Sequence, residues 1–423
     1  MDLRPEGLAK ASVDFIMSDH PTATRSLAVT FFFTCYLAAA YGLGLYLFAV
    51  LLPDMRGELG FDYRAVGLMS GAAQAGYLVA ALIAGPLTPR LGGTRLVFLS
   101  ILVSGLTLAA ISAVQSTWLL GLGLMVLAAA AASIWVPMVD VVSRFIPEAR
   151  RATVFGIFSS AGGYGALING LVVPPLLLLI GWRHVWLDLG LVTLALMALG
   201  YLLMYRLGMT RKVAAATGRA PSIFKRGAMT ALLRSRRVLL FWVFNFCISF
   251  GYLPFQTYLA AYLRAELGYS VVATGHLWTV FGATAAAGGA AFGMLAGRIG
   301  IRRAMMLTLI LLFAAGALMA FAPVAGLPFV AAGCFGVSYG AIYGLTPAYV
   351  AKMLPLEYGS TIFGFSNVMV GIGGILGNLL AGYSQDLTGG LKAIYIGVAV
   401  AAAILMGLAW RMDDDRIVAD RRL

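Results

Sequence analysis

Charge is scarce in this chain. Only 11% of its 423 residues are Asp, Glu, Lys or Arg, whereas a soluble domain carries about 25%. So little charge cannot keep an apolar content of 61% in water. Histidine and cysteine are equally sparse, at three residues each. Cys35, Cys247 and Cys334 stand far apart without metal-ligand spacing, and are read as packing residues rather than a disulfide or copper site. No G-x-x-x-x-G-K-S/T phosphate loop occurs, which excludes a nucleotide-driven pump. No H-E-x-x-H or comparable cluster of His, Cys or acids occurs, so the chain does not read as an enzyme and implies no metal and no cofactor. Short segments of period-2 alternation, the mark of a membrane barrel, are missing too.

What the chain has instead is long apolar runs. Roughly 20 apolar residues span a bilayer as a helix, and twelve such runs can be marked, near 27–52, 65–88, 95–114, 118–145, 152–180, 185–205, 238–262, 270–297, 304–322, 327–353, 360–385 and 391–410. The expected fold class is therefore an all-α polytopic membrane protein with twelve transmembrane helices. Residues 1–25 contain Asp2, Glu6, Asp14 and Asp19 with no cleavage site behind an apolar core, so they read as a tail and not a signal peptide.

Placing the N-terminus in the cytoplasm puts 25 of the 30 basic residues on the inside; Arg56, Arg64, Arg183, Arg264 and Lys392 fall outside. This positive-inside bias places both termini in the cytoplasm and the protein in the cytoplasmic (inner) membrane. The net charge of +13 then reflects orientation, and no nucleic-acid module accompanies it. The implied partners are the lipid bilayer and a small solute, with a co-transported proton as an option. A monomer is expected.

The chain also repeats itself. Residues 55–61 read MRGELGF and residues 263–269 read LRAELGY, an offset of 208. The same offset relates Gly85, Arg90, Gly92 and Arg95 to Gly293, Arg298, Gly300 and Arg303, and Pro147 and Gly156 to Pro355 and Gly364. Three matches at one offset indicate duplicated halves, which lie parallel about an axis along the membrane normal. Between them runs a linker with nine basic and no acidic residues. The expected divisions are a tail at 1–25, a six-helix bundle at 26–205, a cytoplasmic linker at 206–237, a second six-helix bundle at 238–410 and a tail at 411–423.

The segments GPLTPRLGGTR (85–95) and GMLAGRIGIRR (293–303) resemble the loop motif that follows helices 2 and 8 in the major facilitator superfamily. Twelve spans in a 6+6 division with a basic central loop extend that resemblance over the whole chain. Within the family, GLVVPPLLLLIGWR (170–183) and YGSTIFGFSNVMVGIGGILGNLLAG (358–382) resemble the monocarboxylate and oxalate/formate branch. The resemblance implies two pseudo-symmetric bundles that rock about a central site, with helices 1, 4, 7 and 10 lining it. It also implies an inner gate at the loop motifs, comprising Gly85, Arg90, Gly92, Arg95, Arg144, Glu148, Gly293, Arg298, Gly300 and Arg303.

Departures from the family pattern shape the expectation. Pro89 and Gly297 stand where the loop motif usually has an acid. The arginine that proton-driven exporters carry early in helix 4 is missing from 119–133, and Asn169-Gly170 replaces their Gly-Pro in helix 5. The charges usual in helix 8 of the monocarboxylate branch are missing from 278–293. Uptake, symport or exchange of a small organic solute is therefore expected ahead of proton-coupled efflux of amphipathic compounds, or of a transporter-like sensor without flux.

No Lys or Arg falls near the middle of any span, which disfavours a strongly anionic substrate. Candidate cavity residues follow helical stripes. Asn245, Ser249, Tyr252 and Gln256 form the clearest stripe; Ser133 and Trp135 in span 4, Tyr339 and Tyr343 in span 10, and Tyr41 in span 1 complete the set. The same residue types also serve interhelical hydrogen bonding. Asp140 and Arg144 have the acid-first i,i+4 order of a helical ion pair, expected to join Arg90, Glu148 or Arg151 in the inner gate. Asp140 and His276 are the proton-coupling candidates, since buried acids and imidazoles are the groups that titrate within a bilayer. Glycines at 289, 293 and 297, and at 373 and 377, are expected to allow close helix contact and sliding between halves. Pro137, Pro174, Pro175 and Pro347 are expected to bend their helices.

Overall fold

The computed structural model describes residues 23–209, 232–322, 324, 326–353 and 359–413. Most of the two tails, most of the 206–237 linker and Pro355 lie outside the described residues. Helices make up nearly all of the rest, and no strand occurs among the described residues. The spans are α1 (Thr24–Leu59), α2 (Tyr63–Leu91), α3 (Gly93–Ile111), α4 (Thr117–Phe145), α7 (Arg236–Thr257), α8 (Val271–Ile299), α9 (Ile301–Phe321), α10 (Leu327–Met353), α11 (Thr361–Thr388) and α12 (Lys392–Trp410). One further apolar stretch, Thr153–Arg206, is 54 residues long. A straight helix of that length would reach about 80 Å, far beyond a hydrocarbon core of about 30 Å. Gly181, with φ 74° and ψ 164°, divides it into α5 (153–180) and α6 (182–206). That makes twelve spans among the described residues.

The outer face of the protein is apolar, as only a lipid-facing surface can be: Leu179, Met294, Leu387 and Trp118 are among its most exposed side chains. The interior is sequestered aromatic and aliphatic packing, with Trp186, Trp278, Tyr36, Tyr252 and Phe255 almost wholly covered.

The duplication is written in the backbone. Gly60 and Gly268 both have φ of 70°, Gly92 and Gly300 have φ of 86° and 93°, and Gly181 and Gly389 both have φ of 74°. Each pair is separated by 208 residues. A left-handed backbone strongly favours glycine, so the same irreplaceable turns recur in both halves. The helix caps repeat as well: Asp62 accepts from the Ala65 amide and Ser270 from the Ala273 amide.

Two seams join the halves, α2 against α11 and α5 against α8. They are equivalent by the same offset. A Cβ added to Gly67 would lie 2.7 Å from the Asn378 carbonyl oxygen, and one added to Gly275 would lie 2.7 Å from that of Gly170. Close backbone approach of this kind is how helices associate where apolar burial offers little between lipid and protein.

Several expectations change. MRGELGF does not follow the first helix but ends it, since Met55 to Leu59 are helical and Gly60 supplies the left-handed cap. Gly293 and Gly297 meet nothing, while Gly373 and Gly377 pack on Phe246 and Phe250 of α7 in their own half. The glycines that bring the halves together are instead Gly67, Gly163, Gly170, Gly275 and Gly282. Among the expected prolines only Pro137 interrupts its helix, separating Thr117–Trp135 from Met138–Phe145; α5 and α10 run on through Pro174, Pro175 and Pro347.

A tyrosine-lined cleft closed at one end

The middle of α1 contains a segment of π-helix, Ala39–Tyr46. Its cause is local. Gly42 lies against the backbone of Gly165 in α5, so no Cβ fits at the crossing, and the Asn169 amide donates to the Gly42 carbonyl at 2.6 Å. In an α-helix, residues five apart point about 140° away from each other. The i→i+5 bonding of a π turn brings them to one side. Tyr41 and Tyr46 are five apart, and both reach the same cluster of hydroxyls.

That cluster joins the halves at mid-depth. The Tyr46 and Tyr339 hydroxyls are 2.9 Å apart across the seam, and Tyr41 and Tyr77 share a second 2.9 Å hydrogen bond. Tyr339 packs edge-on to Tyr343 at 5.0 Å, and Tyr252 lies 6.2 Å from each of them. Trp278 and Phe281 of α8 close the other side against Tyr46. Such ring pairs contribute about 0.5–1.5 kcal/mol each beyond their area. Tyr41, Tyr77, Tyr339 and Tyr343 are nevertheless only half-buried, although they stand at mid-helix beside fully covered neighbours. Solvent therefore reaches the middle of the molecule.

It does not enter from the Gly60–Gly268 end. There Arg264 forks onto Asp54, with one of its two bonds at 2.9 Å, and Arg64 pairs with Asp386. The Tyr258 hydroxyl donates to the Asn378 carbonyl at 3.2 Å and its ring packs on Tyr63. Both ion pairs cross between the halves, so this is the closed end.

The opposite end, marked by Gly92 and Gly300, is different. Along α2 the contact with α11 runs from Tyr63 to Leu78, and along α8 the contact with α5 runs from Gly275 to Ala286. These are about 23 Å and 17 Å of helix. Beyond them Gly85, Gly293 and Gly297 face no neighbour, and at this end none of the ion pairs among the described residues crosses between the halves. The seams splay below mid-depth, and this is the open end.

The predicted cavity residues divide against this geometry. The α7 stripe points inward as expected: Asn245, Ser249, Tyr252 and Gln256 are all buried. Asn245 donates to its own helix at Phe241, and Tyr252 bonds Ser338 at 2.6 Å. Gln256 Oε1 has no hydrogen-bond partner among the described residues, and neither has Trp278 Nε1, while Ser249 lies beside the Tyr343 hydroxyl. A buried polar atom left unpaired costs about 1–3 kcal/mol. Ser133 and Trp135 on α4 are half-buried, without hydrogen bonds among the described residues. Sequence reasoning missed Tyr46, Tyr77, Gln74 and Trp278; Gln74 lies near Ser249 across the seam, both abutting Gly374.

His276 is exposed, on the side of α8 away from Thr274, Leu277 and Trp278, and does not reach the cleft. Asp140 pairs with Arg144 at 2.8 Å, as the spacing implies, and its second oxygen accepts from the Gly93 amide at 3.1 Å. The expected links to Arg90, Glu148 and Arg151 do not form here; Arg151 donates to the carbonyls of Ile146 and Ser143. Asp140 thus pins the start of α3 beside the Gly92 turn. Arg90, Arg95, Arg298, Arg303 and Glu148 are exposed at the open end.

The repeated heptad has a mechanical role. Glu58 accepts from Trp182 at 2.6 Å and Arg183 at 2.9 Å, beside the Gly181 turn. Glu266, its equivalent, accepts from the Leu391 amide beside the Gly389 turn, and Leu391 is the positional equivalent of Arg183. In each half the motif's glutamate tethers the helix hairpin that closes the bundle.

Comparison with known proteins agrees with the architecture. The sequence profile described as Major Facilitator Superfamily matches residues 32–378. A probable galactarate/D-glucarate transporter of Escherichia coli (strain K12) is 24% identical over 406 residues, covering 86% of this chain and 88% of that protein. The solved structure of the nucleoside transporter NupG superposes with a TM-score of 0.73 at 15% identity, over 92% of this chain and 98% of its own. A bacterial homolog of the human lysosomal transporter Spinster, inward-facing and unoccupied, gives 0.72 at 14% identity, over 92% and 96%. At such identities the two structures share the fold.

Proposed function

The chain belongs to the major facilitator superfamily of membrane transporters, and from that premise we propose that it carries a hydroxyl-rich organic solute of low charge through the tyrosine cleft by alternating access. The observation that carries this reading is the cleft's chemistry. Its described lining offers hydroxyls, an indole N–H, amides and aromatic faces, and no guanidinium or ammonium. Such a surface matches polar groups by hydrogen bonds and ring faces, and has little to balance a carboxylate.

Movement follows from the seams. Rocking about the α2–α11 and α5–α8 contacts would break the ion pairs at the closed end and draw the open end together. The basic residues at the open end, among them Arg90, Arg95, Arg144 and Arg303, support a cytoplasmic position for it by the positive-inside rule. Uptake or exchange fits better than proton-driven transport, because Asp140 is held in a structural pair and His276 stands outside the cleft.

A second reading has a specific support: the relative named for galactarate and D-glucarate suggests a sugar acid. Counterflow in proteoliposomes separates the two. Neutral hexoses and polyols should exchange against a labelled neutral pool, and Tyr46→Phe with Tyr339→Phe should weaken their half-saturation. Exchange restricted to the hexarate dianion and indifferent to both substitutions would overturn the neutral-solute reading.

A further inference from the structure

A crevice of about 580 Å³ opens at the closed end, apart from the central cleft. Arg56, Arg264, Tyr63, Tyr269 and the first residues of α8, Ser270 to Val272, line it. The two arginines are the paired positions of the repeated heptad, 208 residues apart, and the duplication brings them into one pocket. Their charges are not equally matched. Asp54 takes Arg264. Glu58 is held by Trp182 and Arg183, Glu266 by the Leu391 amide, Asp62 by the Ala65 amide, and Asp386 by Arg64. Arg56 makes no ion pair among the described residues. Its guanidinium lies over the Tyr63 ring, 4.3 Å from the centroid, and its buried Nε has no hydrogen-bond partner among them.

The helix terminus adds a second source of positive potential. The first amides of a helix have no acceptor within it and carry the positive end of its dipole. In α2 a carboxylate, Asp62, caps that end. At the equivalent place in α8 the cap is Ser270, which satisfies the Ala273 amide but brings no charge. The two repeats differ here by one negative charge, and the uncharged cap is the one that faces Arg56.

We propose that this crevice binds an oxyanion, a carboxylate or phosphate group, held by Arg56, the outer edge of Arg264 and the opening amides of α8. Arg56 belongs to one half and the other two elements to the opposite half, so a bound anion ties the halves together at the closed end. The site does not depend on which solute the central cleft carries, because its readout is binding and not flux.

The test uses inorganic sulfate as the probe and thermal unfolding of the purified full chain. In neutral detergent, sodium sulfate should raise the unfolding midpoint over sodium chloride at equal ionic strength. Arg56→Gln should weaken the apparent sulfate affinity at least tenfold, and Arg56→Lys less, since it keeps the charge without the fork. Ser270→Asp restores the cap found in the other repeat, so it should fold normally and still weaken sulfate about tenfold. A parallel arm in nanodiscs compares pure phosphatidylcholine with a mixture containing phosphatidylglycerol. Stabilisation by phosphatidylglycerol that is lost in both variants, without a sulfate response, would assign the same oxyanion site to a lipid headgroup. A sulfate response unchanged in Arg56→Gln and Ser270→Asp, or no response in either arm, would overturn the proposal.

Discussion

Replacing Asp54 by Asn should loosen the closed end by a calculable amount. Arg264 presents two N–H groups to the two oxygens of Asp54, and the side chains are 20% and 22% exposed. An exposed ion pair contributes about 0.2–1 kcal/mol, and a hydrogen bond to a charged group about 1.5–3 kcal/mol. For a forked pair about a fifth exposed, about 1–2 kcal/mol is reasonable after discounting for solvent. On the proposed rocking of the halves the pair exists only while this end is shut, so its loss destabilises that state alone and shifts the balance toward the alternative. At 1.4 kcal/mol per factor of ten, the ratio of closed to opened molecules should fall about 5- to 30-fold.

The assay is pulsed electron spin resonance in nanodiscs, with labels at Leu179 and Leu387 in a chain lacking its three cysteines. Both positions are highly exposed and lie in opposite halves, so neither label disturbs the seam. A longer-distance population should grow in Asp54→Asn and in Arg264→Gln. The double exchange Asp54→Arg with Arg264→Asp should return the distribution toward the parent. Unchanged distances in both single variants would refute the gate, as would a double exchange no closer to the parent than the singles.

Three further outcomes are expected. Gly282→Leu should lower the unfolding midpoint by the equivalent of about 1–3 kcal/mol, because a Cβ there meets the Gly163 carbonyl oxygen at 2.6 Å; Gly293→Leu, with open space around it, should change the midpoint little. A double-mutant cycle between Tyr46→Phe and Tyr339→Phe, read on solute half-saturation, should show coupling of about 0.5–1.5 kcal/mol from their shared hydrogen bond. His276→Gln should leave the pH profile of transport unaltered, since the imidazole faces away from the cleft; a displaced profile would return it to the coupling pathway.

The parts of this protein that were legible in its sequence are those set by bulk physics. Apolar run length marks the spans because the bilayer has one thickness, and the glycine turns appear as repeated letters because glycine is strongly favoured where φ is positive. The α7 stripe was readable because a helix keeps its period. The cleft's other tyrosines were hidden by failures of that same rule. Tyr41 and Tyr46 share a side only through a π segment, which no 3.6-residue pattern foretells. Tyr77 and Trp278 sit in glycine- and alanine-rich runs where an aromatic ring reads as core. The glycine stack at 289, 293 and 297 looked like one contact face, yet only Gly289 meets another helix, at Gly340, because spacing says nothing about how far a neighbour extends.

Duplication, finally, makes the differences between the halves more informative than their likeness. An ancestral half contributed each feature twice, so each position has an internal control. Where the copies agree, as at Glu58 and Glu266, the shared task is to tether a hairpin. Two of the places where they diverge lie at the closed end. Asp54 corresponds to Tyr262, so only one half supplies the acid that Arg264 needs, and the two arginines of the heptad cannot both be neutralised in the same way. Asp62 corresponds to Ser270, and the missing carboxylate falls in the same crevice. Both departures leave positive potential around Arg56. If drift alone had produced them, restoring symmetry by Ser270→Asp would be silent; the structure instead predicts a measurable loss of anion binding at that one end.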